Sequence, residues 1–102
     1  MLLREKDKQI LIQLFSSVDK PLELIAYGSR VNNTAHEGSD LDLVIRTQNE
    51  EPISLNLYSD LVEKIKQSNI PFLVELRDWS TLPNSFHKQI SENSQVIFTN
   101  ID

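Results

Sequence analysis

The 102 residues amount to one domain, long enough to bury about 65% of the unfolded chain's surface, so a single unit spanning 1–102 is expected. With no cysteine, disulfide scaffolds and thiolate metal centres are excluded. The net charge of −5, the pI near 4.9 and the scattered basic residues argue against a polynucleotide substrate, and no apolar run approaches the roughly 20 residues of a membrane span.

The first eight residues, Met-Leu-Leu-Arg-Glu-Lys-Asp-Lys, lack a signal peptide's apolar centre, and the expected location is the cytoplasm. Over residues 2 to 18, Leu3, Ile10, Leu11, Leu14, Phe15 and Val18 fall on one stripe, with Arg4, Glu5, Lys8 and Gln13 around the rest. That spacing predicts an amphipathic helix covering a sheet, ended by Pro21. The apolar run from Leu22 to Tyr27 then predicts a buried strand, which stops at Gly28, the residue best able to make an abrupt exit.

Ser29 opens a turn or short helix. A strand, a Gly-Ser turn and a helix start together aim free backbone N–H groups at one spot, which suits an anion such as a triphosphate. The Ser29 hydroxyl adds a donor and Arg30 a counter-charge. Ten residues separate Ser29 from Asp40, where Asp40-Leu41-Asp42-Leu43-Val44-Ile45 reads as a second strand. Strand period is two, so Asp40 and Asp42 share a face about 6–7 Å apart, a spacing that holds hard cations between carboxylates. Leu41 and Leu43 face the core. An EF-hand loop is excluded, because the segment is strand-like and the further oxygen ligands are missing.

Thr47 to Pro52 reads as a polar link. Leu55, Tyr58, Leu61, Val62 and Ile65 recur at helical spacing, predicting a helix over 54–67 closed by Ser68-Asn69. Pro71 to Leu76 reads as a third strand with Glu75 set in an apolar run. Taken alone, Glu75 is an acid at an exposed strand end paired with Arg77 or Arg46, since isolated burial of its charge is costly. Asp78 has the opposite strand parity and begins a turn or caps the segment after it, and Trp79 lids one end of the sheet. From Ser80 to Asn93, Leu82, Phe86 and Ile90 predict a short helix with Pro83 in its first turn, and the run from Gln95 to Thr99 is an edge strand or a strap along the core. His36 and His87 have no partner at zinc-ligand spacing, and Ser29 lacks the Gly-x-Ser-x-Gly context of a serine hydrolase.

Gly28-Ser29, ten residues and Asp40-Leu41-Asp42 together resemble the GS-x10-DxD signature of the polymerase-beta-like nucleotidyltransferases. The short length and the segment from Leu73 to Trp79 are similar to the minimal nucleotidyltransferases, the MNT proteins that pair with HEPN-domain toxins. This resemblance covers nearly the whole chain and implies an α/β (α+β) fold, a small mixed sheet with helices packed mainly on one face. It also implies that Glu75 stands where these enzymes carry a third carboxylate, usually Asp. Glu is one methylene longer, so its oxygens shift by about 1.5 Å, and misplacement on that scale costs about a hundredfold in rate.

The resemblance further implies catalysis by Asp40, Asp42 and Glu75 holding two Mg²⁺ ions, with Gly28, Ser29 and Arg30 at the nucleotide. ATP would be the substrate, and AMP would pass to a tyrosine of a HEPN ribonuclease toxin. ATP brings about four negative charges against these carboxylates, so cations are needed between them. Larger relatives carry a helical domain that forms a small-molecule acceptor pocket, and its absence here favours a protein acceptor. A second expectation is an inert antitoxin that silences its toxin by stoichiometric contact; modification of a small molecule ranks last. Neither nucleic-acid nor membrane binding is expected.

Overall fold

A computed structural model describes residues 1–102. The chain runs α1 (Glu5–Ser16), β1 (Leu22–Tyr27), β2 (Leu41–Thr47), α2 (Leu55–Lys66) and β3 (Val74–Asp78). A 3₁₀ turn (Trp79–Thr81), α3 (Asn84–Glu92) and β4 (Gln95–Thr99) complete it. The strands form one mixed sheet in the order β3-β2-β1-β4. β1 is antiparallel to both β2 and β4, and β2 is parallel to β3. The Gln95–Thr99 run is therefore an edge strand, with a bulge opposite Leu24 and Ile25.

Strand periodicity sorts the side chains between two faces. Leu22, Leu24, Ala26, Leu41, Leu43 and Ile45 are all fully buried against Leu11 and Phe15 of α1 and Leu61 and Ile65 of α2. Each of these leucine, isoleucine and phenylalanine side chains stabilises the fold by about 1.5–3 kcal/mol, so this layer dominates its energetics. The opposite face carries Ile25, Tyr27 and Val44, covered only in part, by Trp79 and by Ile90 of α3. Both long helices thus lie on one face, and the short third helix leaves part of the other open. None of the helices is long and apolar enough to cross a membrane.

Several boundaries differ from the periodicity reading, among them the start of the last helix, which is Asn84, with Pro83 as its N-cap rather than in its first turn. The first helix starts at Glu5 because Leu2 is strapped down, its N–H donating to the Arg30 carbonyl at 2.9 Å. The third strand starts at Val74 because Pro71 has no N–H and the Phe72 ring packs beneath the Arg30 guanidinium at 3.8 Å. It runs on to Asp78, whose side chain caps the 3₁₀ turn by accepting from the Ser80 N–H and also accepts from the Ile53 N–H. Helix α2 falls within one residue of its expected ends, with Ser54 as its N-cap accepting from the Leu57 N–H.

Candidate active site

The site lies where β1 ends and β2 begins. Gly28 leaves β1 with φ +81°, a backbone conformation that disfavours any residue with a Cβ. The Gly28 carbonyl accepts from the Val31 and Asn32 N–H groups, so the chain turns sharply over residues 28–33 without forming a regular helix. The N–H groups of Gly28, Ser29 and Arg30 make no hydrogen bond within the chain. Three consecutive free donors at the end of a buried strand form a cradle for an anion.

Asp42 stands directly beside this cradle. Antiparallel pairing sets it opposite Tyr27, and a Cβ on Gly28 would lie 2.4 Å from its Oδ2. On its other side, parallel pairing sets Asp42 opposite Glu75. Tyr27, Asp42 and Glu75 therefore form one row across the open face of the sheet, at strand spacings of about 4.8 Å. Asp40 lies just before β2 and is exposed. Burial raises the Asp42 carboxyl above its ordinary 3.8; Glu75 and Asp40 add to the rise, and Arg77 opposes it.

Arg77 stands behind the row, two residues after Glu75 on the same face of β3. Its Nη2 donates to Glu75 Oε2 at 2.9 Å. Its Nε is buried without a partner, as is the hydroxyl of Tyr27, a residue only 5% exposed. Burial raises the Tyr27 phenol as well. Of the two pairings expected for Glu75, the one with Arg77 forms; Arg46 instead pairs with Glu23 at 2.7 Å and lies over the Trp79 ring. With Glu75 turned toward Arg77 and Asp40 outside the strand, the three carboxylates do not close into one three-ligand group.

Arg30 corrects one expectation. It is 2% exposed, and its guanidinium donates to the carbonyls of Leu2, Glu37 and Ser39 at 2.7–2.9 Å while stacking on Phe72. With all three of its nitrogens occupied, the side chain ties down the loop between Gly28 and Asp40 and offers no counter-charge to a nucleotide. Only its backbone N–H belongs to the cradle.

Both histidines order their surroundings. His36 Nδ1 accepts from the Gly38 N–H. The His87 ring stacks on Trp79 with centroids 3.9 Å apart, and its Nε2–H donates to the Trp79 carbonyl. Trp79 itself lids the sheet, anchored by its Nε1–H on Glu50. The site residue missed in sequence is Tyr27, whose parity with Asp42 depends on the strand pairing.

The residues present fit a nucleotide with a divalent cation. The cradle is one that a Cβ at position 28 would fill, and oxygen donors of the type that hard cations take stand beside it.

Comparison with known proteins places this geometry in context. A family model described as Polymerase beta, Nucleotidyltransferase matches residues 9–102. Over 72 residues the chain is 39% identical to the probable protein adenylyltransferase MntA of Haemophilus influenzae. That stretch covers 71% of this chain and 61% of the relative, less than two thirds of its length. The fold is similar to a crystal structure of a toxin-antitoxin with AMP-PNP, with a TM-score of 0.72 at 18% identity over 91% of this chain and 73% of the other. It is also similar to a structure of the tri-AMPylated Shewanella oneidensis HEPN toxin in complex with MNT antitoxin. There the TM-score is 0.69 at 14% identity, over 96% of this chain and 74% of the other.

Proposed function

The chain belongs to the polymerase beta nucleotidyltransferase family, and from that premise we propose that it is an adenylyltransferase antitoxin, moving AMP from ATP to a tyrosine of a cognate HEPN-domain toxin in the cytoplasm. The observation that carries this reading is the seating of Gly28 against Asp42, which sets a cradle of free N–H groups beside a carboxylate. The likeness to proteins named as an adenylyltransferase and as a toxin's MNT antitoxin supports the choice of acceptor.

In this reading the N–H groups of Gly28, Ser29 and Arg30, with the Ser29 hydroxyl, grip the β- and γ-phosphates. Asp40, Asp42 and Glu75 would hold Mg²⁺, which supplies the positive charge that lets a triphosphate approach carboxylates and stabilises the departing pyrophosphate. Glu75 accepts the proton of the attacking tyrosine hydroxyl on a carboxylate oxygen. The new bond joins that hydroxyl oxygen to the α-phosphorus, the bond from the α-phosphorus to the bridging oxygen breaks, and pyrophosphate leaves.

A second reading, a nucleotidyltransferase fold acting as a stoichiometric plug, is favoured by the lack of a closed group of three carboxylates and by the tie of Glu75 to Arg77. Intact-mass measurement separates the two. A cognate HEPN toxin incubated with this chain, ATP and Mg²⁺ is expected to gain one or more AMP units, and to gain none with Asp40→Asn. A toxin that is silenced in a stable complex at unchanged mass would leave the plug.

A further inference from the structure

The three arginines next to the sheet and its loops are held to very different degrees. Arg30 is fixed by four hydrogen bonds to carbonyls and Arg46 by a two-pronged contact with Glu23 and the face of Trp79. Arg77 is held by a single bond to Glu75, at half-exposed side chains, while its Nε and the neighbouring Tyr27 hydroxyl lie buried and unpartnered. It is the arginine free to let go.

It is also placed where a cation is needed. Parallel pairing forces Asp42 and Glu75 to stand side by side, and like charges at adjacent strand positions repel. Asp42 has no ion pair of its own, and Arg77 is the cation whose field reaches both carboxylates.

Resting on the reading of Asp42 and Glu75 as cation ligands, we infer that Arg77 is a positioning residue, an internal counter-cation that occupies Glu75 until a divalent ion displaces it. Metal binding at this site is then an exchange of one cation for another. Arg77 steadies the carboxylate row when no ion is bound and lowers the affinity for the ion that replaces it. Glu75 already stands against Asp42 across the parallel pair, so the exchange frees the one carboxylate oxygen that Arg77 holds.

Calorimetric titration of Mn²⁺ into the whole chain, without nucleotide or toxin, tests this. Arg77→Gln is expected to bind Mn²⁺ about fivefold more tightly than the native chain, the scale of a half-exposed ion pair, while Arg77→Lys, which keeps the charge, stays within about twofold. Unchanged or weaker binding by Arg77→Gln overturns the inference. If the native chain binds Mn²⁺ and Asp42→Asn does not, that failure leaves the metal site standing; if the native chain binds none, both fall. A second measurement needs no variant. The Arg77 guanidinium resonances of the native chain should shift during a Mg²⁺ titration as the Nη2 bond to Glu75 is lost, and static resonances overturn the exchange.

Discussion

Gly28 and Asp42 touch across the β1–β2 pair so closely that no side chain fits between them. A Cβ at position 28 would stand 2.4 Å from Asp42 Oδ2 and 3.2 Å from its Cγ, and the φ of +81° is one that L side chains rarely adopt. Glycine is thus required twice, for its conformation and for its bareness. Gly28→Ala is expected to cost about 1–2 kcal/mol in urea denaturation and, by pushing the Asp42 carboxylate aside, to cut AMP transfer about a hundredfold. Transfer at the native rate would remove the cradle from the mechanism.

Asp42 is held in the open face at some cost to the fold. Its carboxyl is raised above the ordinary 3.8, chiefly by burial and then by Glu75. Between that value and the raised one, the native state binds more protons than the unfolded chain, so stability falls as pH rises through the window. Above it, the ionised carboxylate burdens the native state. In chelator, Asp42→Asn is therefore expected to melt higher than the native chain at neutral pH, with the difference closing as acid protonates Asp42. Equal melting temperatures at neutral pH would mean that the carboxylate is not destabilising. The variant should also lose AMP transfer, placing function and stability in opposition at one residue.

How far the fold is legible in the sequence depends on the range of the forces involved. Period-two alternation sets Leu41 and Leu43 against Asp42, and both leucines are fully buried. That signal is local, as is the strand from Leu22 to Tyr27. The row Tyr27-Asp42-Glu75 depends on strand order, which alternation does not encode. The anchoring role of Arg30 is hidden for a related reason: its partners are the carbonyls of Leu2, Glu37 and Ser39, and backbone oxygens leave no mark on residue type. Phe72 reads as strand because it is apolar, but it is the base on which Arg30 stacks. Asp7, four residues from both Leu3 and Leu11, falls on the apolar stripe of the first helix, where it is fully buried and held by both Nε and Nη2 of Arg4.

Arg30 offers a direct contrast between anchoring a loop and binding a phosphate. Its guanidinium satisfies three carbonyls between the N-terminal strap and the loop that leads to Asp40. Hydrogen bonds to a charged group are worth about 1.5–3 kcal/mol, and their loss leaves acceptors unpaired, so Arg30→Ala is expected to destabilise the chain by about 3 kcal/mol. Arg30→Lys should recover little, because a single ammonium cannot reproduce the planar fork. Urea denaturation measures both. ATP affinity in whatever fraction remains folded should stay near native, whereas a selective loss of ATP binding with full stability would restore the counter-charge role.

Glu75 is where side-chain length becomes testable. The parallel register fixes its Cα opposite Asp42, so shortening the side chain withdraws the carboxylate by about 1.5 Å along its own direction and away from Arg77. Glu75→Asp is expected to lose the ion pair and to slow AMP transfer tenfold to a hundredfold, with the Kd for ATP little changed because the phosphate cradle lies in the turn after β1, away from β3. Glu75→Gln keeps the length but loses the base, and should be slower still. A Glu75→Asp variant faster than the native chain would show that the native carboxylate overreaches its site.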